Sequence, residues 1–208
     1  MKEEAKLTTK EKNYIKEVDF LITRHQINKK VNSLLLSTEA TLKQYISGSN
    51  LCFPAKTSYK AGKITKGEHY LQLPYYILDY PALLSKESIF AIRTMFWWGN
   101  YFIITFHLSG YALKRFRPFL IKNLPEIYPK QTYLYINDSD PWQHHIDVHN
   151  YRMVETLNPN ELIQILGTTK HFKLCQTLSL DEWDYLPGFA LKFFKLILGL
   201  IQLEGSAE

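Results

Sequence analysis

Three histidines and three aspartates lie within twelve consecutive residues of this chain, in the segment 138–149. Imidazole nitrogens and carboxylate oxygens are the usual protein ligands of zinc, iron and manganese, because both offer lone pairs near neutral pH. If residues 145–149 form a strand, His145, Asp147 and His149 project from one face with about 7 Å between neighbours. The segment therefore predicts a site for a divalent transition metal, with these three side chains as ligands.

Two other interpretations of this segment stay open. The same three side chains would suit a metal-free acid–base or ligand-binding site, or a solvated strand face with Ile146 and Val148 buried behind it. In the second case, Asp138 and Asp140 are turn formers whose side chains accept hydrogen bonds from nearby backbone amides. A zinc-protease helix is excluded, because that motif requires a glutamate directly after the first histidine and this chain has Ile146.

Residues 89–108 predict a β-hairpin that would position further polar candidates. Two β-rich runs flank Gly99 and Asn100, a pair suited to a two-residue turn because glycine accepts a positive φ. In that register the numbers of opposed residues sum to 199. Both faces of the hairpin are then largely apolar, so either both are covered or one lines a ligand cavity.

Arg93 and His107 are the polar candidates of this hairpin, and the register places them on opposite faces. Arg93 lies among apolar side chains, where a guanidinium must pair with a carboxylate such as Asp79 or Glu87, stack on an aromatic ring, reach the edge of the sheet or bind an anionic ligand. The other face carries a small polar patch framed by aromatic residues, which resembles a small-molecule site or a set of satisfied core residues. That patch comprises Thr94, Thr105 and His107.

Helices and strands occur in blocks along the chain, which predicts an α+β fold rather than a parallel doubly wound sheet. Residues 1–50 form a helical part, because a capping box at Thr8 and Glu11 precedes apolar residues at helical spacing. This part is either a helical hairpin or one long bent helix. An exposed basic loop follows over residues 51–69. Residues 70–208 complete a single domain, with about five or six antiparallel strands covered by helices.

The last helix, residues 189–203, is apolar except for a narrow stripe. Fifteen helical residues span roughly 22 Å, which is shorter than the roughly 30 Å hydrocarbon core of a bilayer, so a transmembrane role is disfavoured. We expect the helix to pack across the sheet with this stripe in water; a dimer interface or a membrane-surface contact is the alternative. The stripe comprises Lys192, Lys195, Gly199 and Gln202.

Composition places further limits on the protein. Residues 1–70 hold 13 Lys and Arg against 7 Asp and Glu, so the basic character of the chain belongs to its N-terminal third. Cys52 and Cys175 are far apart, and the N-terminus has charges where a signal peptide needs an apolar stretch, so we expect reduced thiols and a cytoplasmic location. The motifs of phosphate loops, dinucleotide turns and nucleophile elbows are absent.

Three functions fit these patterns, and whether the protein is an enzyme stays open. The first is a small-ligand-binding or metal-assisted enzymatic domain with an aromatic-lined pocket. The second is a protein-interaction or oligomerising scaffold, which forms a homodimer or docks on a partner through the C-terminal helix or the basic N-terminal third. The third and weakest is a single-stranded nucleic-acid binder that uses the lysine-bearing residues 54–68 with Tyr59 and Tyr70 as stacking groups.

Overall fold

A seven-stranded antiparallel sheet is the centre of the fold, and the computed structural model describes residues 6–201 around it. In space the strands follow the order β1-β2-β3-β4-β7-β5-β6. The predicted α+β class is confirmed, with seven strands in place of five or six. The strands are β1 (Lys63–Tyr70), β2 (Leu73–Leu84), β3 (Ser88–Trp97), β4 (Tyr101–Ser109), β5 (Tyr133–Tyr135), β6 (Tyr151–Met153) and β7 (His171–Ser179).

Helices cover one face of this sheet and form the main hydrophobic core with it. They are α1 (Thr9–Tyr14), α2 (Val18–Ser47), α3 (Gly110–Ile127), α4 (Pro159–Thr168) and α5 (Leu186–Ile201), with 3-10 turns at Val154–Thr156 and Leu180–Tyr185. The predicted capping box of Thr8 and Glu11 begins α1, and Asn158 and Glu161 form another at the start of α4.

The N-terminal part is not a helical hairpin, because one uninterrupted helix of 30 residues, α2, occupies most of it. No glycine or proline occurs within α2, so nothing in its backbone chemistry ends the helix midway. Only its second half carries a buried stripe, which begins at Val31 and packs against α5 and β2. The buried residues are Val31, Leu35, Thr38, Leu42 and Ile46.

The exposed basic loop predicted over residues 51–69 is shorter than expected, because β1 begins at Lys63. β1 is an edge strand, and exposed lysines along it discourage pairing with another chain while hiding the usual strand signal. Leu71 and Gln72 connect β1 to β2 with φ values of 48° and 66°. Left-handed backbone at such residues is uncommon, which is why the sequence did not reveal this turn.

The β3–β4 hairpin forms one residue out of the predicted register. Arg93 pairs with Thr105 and Phe96 with Phe102, so opposed numbers sum to 198 and the loop has three residues centred on Gly99, whose φ is 70°. A shift of one residue turns every side chain of a strand to the opposite face. The prediction that Arg93 and His107 lie on opposite faces was therefore wrong: they share the face that the helices leave uncovered.

Residues 145–149 do not form the strand considered above, since β6 begins only at Tyr151. Instead, residues 138–150, which we call the covering segment, run as irregular turns over the second face of the sheet. Aspartate side chains explain the irregularity: Asp140 accepts a hydrogen bond from the backbone of Trp142, and Asp147 accepts one from that of His149. Such bonds compete with the pairing of backbone groups between strands.

The apolar residues of α5 pack into the main core, whereas Lys192, Lys195 and Gly199 are exposed. This arrangement agrees with the predicted packed helix; Gln202, the fourth residue of the stripe, lies outside the described residues. Within residues 6–201, no helix combines the length and the apolar character that crossing a bilayer requires.

Candidate functional site

Six polar side chains are buried, or nearly so, between the second face of the sheet and the covering segment. Strands β2, β3, β4 and β7 supply five of them, and the covering segment supplies His144. Burial of so many polar groups is costly unless they are paired, so their partners decide what this site can do. We call the set the polar layer; it comprises Asp79, Arg93, Thr105, His107, His144 and Lys173.

Arg93 is fully engaged within the protein. Its Nε and Nη2 atoms donate to the two carboxylate oxygens of Asp79 at 2.7 and 3.0 Å, so the predicted acid partner is confirmed. Its Nη1 lies 3.3 Å from Nε2 of His144, and the ring of Trp142 lies 5.5 Å from its Cζ. The guanidinium therefore joins the sheet to the covering segment, and each of its three nitrogen atoms contacts a protein group.

Lys173 is the residue that sequence analysis missed. It is fully buried in β7, and its ammonium donates to the backbone carbonyls of Pro141, at 3.1 Å, and Gln143. The ring centres of Tyr135 and Tyr151 lie 4.1 and 5.3 Å from its Nζ. Burial lowers the pKa of Lys173 to about 7, whereas the carbonyls and rings favour its charged form. The sequence did offer a signal for this burial, namely a lysine with apolar residues on both sides in a strand.

Two tyrosine hydroxyl groups also hold the covering segment, by accepting hydrogen bonds from its backbone amides. The hydroxyl of Tyr70 accepts hydrogen bonds from the backbone amides of His144, at 2.5 Å, and His145, at 3.1 Å. The hydroxyl of Tyr101 accepts one from the amide of Ile146 at 3.0 Å. Since Tyr70 lies in this contact, it is not exposed for base stacking, as the nucleic-acid interpretation required.

The three predicted metal ligands do not converge. Nε2 of His145 lies 2.9 Å from a carboxylate oxygen of Asp147, and its Nδ1 lies 2.9 Å from the hydroxyl of Tyr70. His149 is exposed at the surface. Throughout residues 6–201, no three His, Cys, Asp or Glu side chains are grouped so that they could hold a metal ion. His145 and Asp147 thus border the polar layer as a pair.

His107 lies beside Trp142 and is 5% exposed. Its Nε2 is 3.4 Å from Nδ1 of His171. Burial, together with the nearby Lys173, His171 and Arg93, holds the pKa of His107 well below its usual value, so the ring is neutral at pH 7. Its environment is therefore that of a packed core histidine.

Acidification should destabilise the protein through His107. In the unfolded state His107 binds a proton near pH 6.5, whereas in the folded state its lowered pKa keeps the ring neutral at that pH. The contribution of His107 to the free energy of unfolding is therefore fully present above pH 6.5 and decreases as the pH falls below it. When the pH is lowered from 7 to 5, we expect the free energy of unfolding measured in urea to fall by about 1–2 kcal/mol less in His107→Gln than in the wild type. His25→Gln, which changes an exposed histidine of α2, should keep the wild-type loss. Equal losses in all three proteins would contradict this assignment.

A different kind of surface lies at the beginning of the described chain. Seven large apolar side chains are each 47–61% exposed in and around α1 and the first turns of α2. They remain exposed because the first buried residue of α2 is Val31, so the beginning of this helix has no core beneath it. We call these residues the N-terminal tip; they are Leu7, Tyr14, Ile15, Val18, Phe20, Leu21 and Ile22.

Comparison of the chain with protein-family models, with curated proteins and with solved structures finds no match. Interpretation of the function therefore rests on the geometry of these two regions.

Proposed function

We propose that this protein is a non-enzymatic interaction module that forms a homodimer through its N-terminal tip. The exposure of seven large apolar side chains in a stretch of sixteen residues, 7–22, carries this proposal. At on the order of 100 Å² each, they expose roughly 700 Å² in total, compared with roughly 300–600 Å² for the largest apolar patch on a typical monomer. A standard protein interface buries roughly 800 Å² on each partner, so two tips together match what a stable dimer needs.

The charges around the tip favour a second copy of this chain as the partner. Lysines and acidic residues alternate between the apolar side chains, so a two-fold axis across the tip allows opposite charges of the two copies to face each other. A purely basic tip would repel its own copy and would suit an anionic surface instead. The charged residues are Lys10, Glu11, Lys12, Lys16, Glu17 and Asp19.

The polar layer supports a structural role in preference to catalysis. Arg93 and Lys173 find their partners within the protein, and those partners lie in β2 and the covering segment. Groups that are occupied in this way hold the covering segment on the sheet. The docking surface thus lies at the basic N-terminal third, while the C-terminal helix contributes to the core.

Substitutions at the tip should abolish the dimer without unfolding the protein. Sedimentation velocity should show a wild-type mass that rises with concentration, and Leu21→Glu should raise the dimer dissociation constant by about tenfold or more, because a buried leucine contributes roughly 1.5–3 kcal/mol. Leu36→Glu is the matched control, since Leu36 is also half-exposed on α2, at 50%, but lies outside the tip.

Two results would contradict the proposal. One is a wild-type protein that stays monomeric as its concentration rises. The other is a monomer that binds vesicles of anionic phospholipid through the tip, in which case the same apolar surface meets a membrane.

A further inference from the structure

A cavity of about 700 Å³, which we call the edge cavity, lies between β7, β5 and α5, on the part of the sheet remote from the tip. Its volume falls within the range of roughly 300–1,000 Å³ that small-molecule sites occupy. Its apolar lining comes from Met153, Phe189 and Leu196, and Thr177 lines it from β7.

The cavity exists because the pairing of β5 with β7 stops early. The ladder between them ends at Tyr133 and Cys175, whereas β7 continues to pair with β4 as far as Ser179. Among the described residues, no strand pairs with the outer edge of β7 beyond this point. The chain instead departs through Gln131, whose φ is 52°, a conformation that non-glycine residues adopt mostly where the surroundings impose it.

Two lysines give the cavity its electrostatic character. Lys130 and Lys192 both line it and are exposed, and within residues 6–201 neither forms an ion pair with a carboxylate. Among the residues that the structure describes, no Asp or Glu side chain contributes to the lining. A hollow that combines an apolar wall with polar side chains, and that carries cations, complements a molecule with a hydrocarbon body and a negatively charged head.

We infer that the edge cavity binds a small organic anion with an apolar body, such as an alkyl or aryl carboxylate. The hydrocarbon portion lies on Phe189, Leu196 and Met153, and the anionic head lies between the ammonium groups of Lys130 and Lys192. This site goes beyond the proposed dimer and does not depend on it, because no residue of the tip contributes to the cavity.

The test uses the aryl sulfonate 8-anilinonaphthalene-1-sulfonate as a fluorescent probe and decanoate as its competitor. All titrations are made both with the wild-type protein and in the Leu21→Glu background, and probe binding that differs between the two is assigned to the apolar tip. We expect one saturable site from which decanoate displaces the probe and decanol displaces it more weakly.

Variants of α5 locate the site. Lys192→Gln should weaken probe binding about fivefold or more, because it removes one of the two charges at the head group. Lys195→Gln is the matched control: Lys195 lies one turn further along α5, over the ring of Tyr45 at 4.9 Å, and does not line the cavity. Leu196→Trp should fill the cavity and weaken binding about tenfold or more, provided that its urea unfolding transition remains cooperative.

Equal affinity in the Lys192 and Lys195 variants would overturn the inference, and so would decanol displacing the probe as well as decanoate does. Both outcomes can be read even if Leu196→Trp fails to fold.

Discussion

Replacement of Arg93 by methionine is expected to lower the free energy of unfolding by about 3–5 kcal/mol. The carboxylate of Asp79 is 5% exposed and accepts two hydrogen bonds from the guanidinium. Without Arg93 it would be a buried charge with no opposite charge beside it, and the His144 ring would lose its contact with the guanidinium. Urea unfolding of the two proteins at pH 7 measures the difference.

Arg152→Met provides the matched control, because Arg152 pairs with Glu161 at 3.5 Å while both side chains are about 40% exposed. An exposed pair of this kind contributes at most about 1 kcal/mol. The double variant Asp79→Leu, Arg93→Met removes both buried charges, so it should be more stable than Arg93→Met alone. A loss below about 1 kcal/mol in Arg93→Met would show that water reaches Asp79 freely.

The second large effect concerns pH and Lys173. Burial lowers the pKa of Lys173 to about 7, while its pKa in the unfolded chain stays near 10.4. The unfolded state therefore binds more protons between these values, and the free energy of unfolding rises with pH in that window. We expect Lys173 to raise the free energy of unfolding by about 2 kcal/mol between pH 7 and pH 9, and we expect this rise to be absent in Lys173→Met.

Other buried groups act in the opposite direction from about pH 8.5 upward, the ordinary pKa of a thiol, so the rise through Lys173 is clearest below pH 9. Burial raises the pKa of the Cys175 thiol to about 12 and that of the Tyr151 hydroxyl well above its usual value, so the unfolded state loses those protons first and becomes favoured. Lys170→Met, a change at an exposed lysine next to β7, should keep the wild-type slope. An identical slope in Lys173→Met would mean that Lys173 stays charged throughout, held by its carbonyl and aromatic contacts.

Both effects concern residues of the kind usually sought in active sites. In this fold their hydrogen bonds and ion pairs hold the covering segment on the sheet face that the helices do not cover. Arg93, which Asp79 holds within the sheet, and Lys173 contact the covering segment across that boundary, and His107 and His144 between them are neutral at pH 7. The two buried cations, Arg93 and Lys173, therefore bind the protein itself.

The features that the sequence revealed are those decided within a few residues of the chain. A hydroxyl and a carboxylate three positions apart begin α1, and apolar residues at helical spacing from Val31 to Ile46 form the buried stripe of α2. The need of Arg93 for an acid was also evident, because a guanidinium among apolar residues has few partners within reach. Asp79 proved to be that acid.

Contacts between distant residues decided the rest. The register of β3 and β4 differs by one residue from the expected one, and this small change moves His107 to the face of Arg93 because side chains alternate along a strand. His145 and Asp147 remain a pair, since Asp147 bonds to backbone amides and turns the chain away from a strand.

By itself, therefore, the sequence determined the fold class, the capped helices and the requirement that Arg93 be paired. Only the tertiary structure decided which polar residues meet and that Lys173 is buried among them. It also decided that the apolar residues at the beginning of α2 are exposed. The physical reason is that helix caps and periodicity depend on free energies between near neighbours. Register and burial depend on which distant surfaces come together, and no local pattern encodes that.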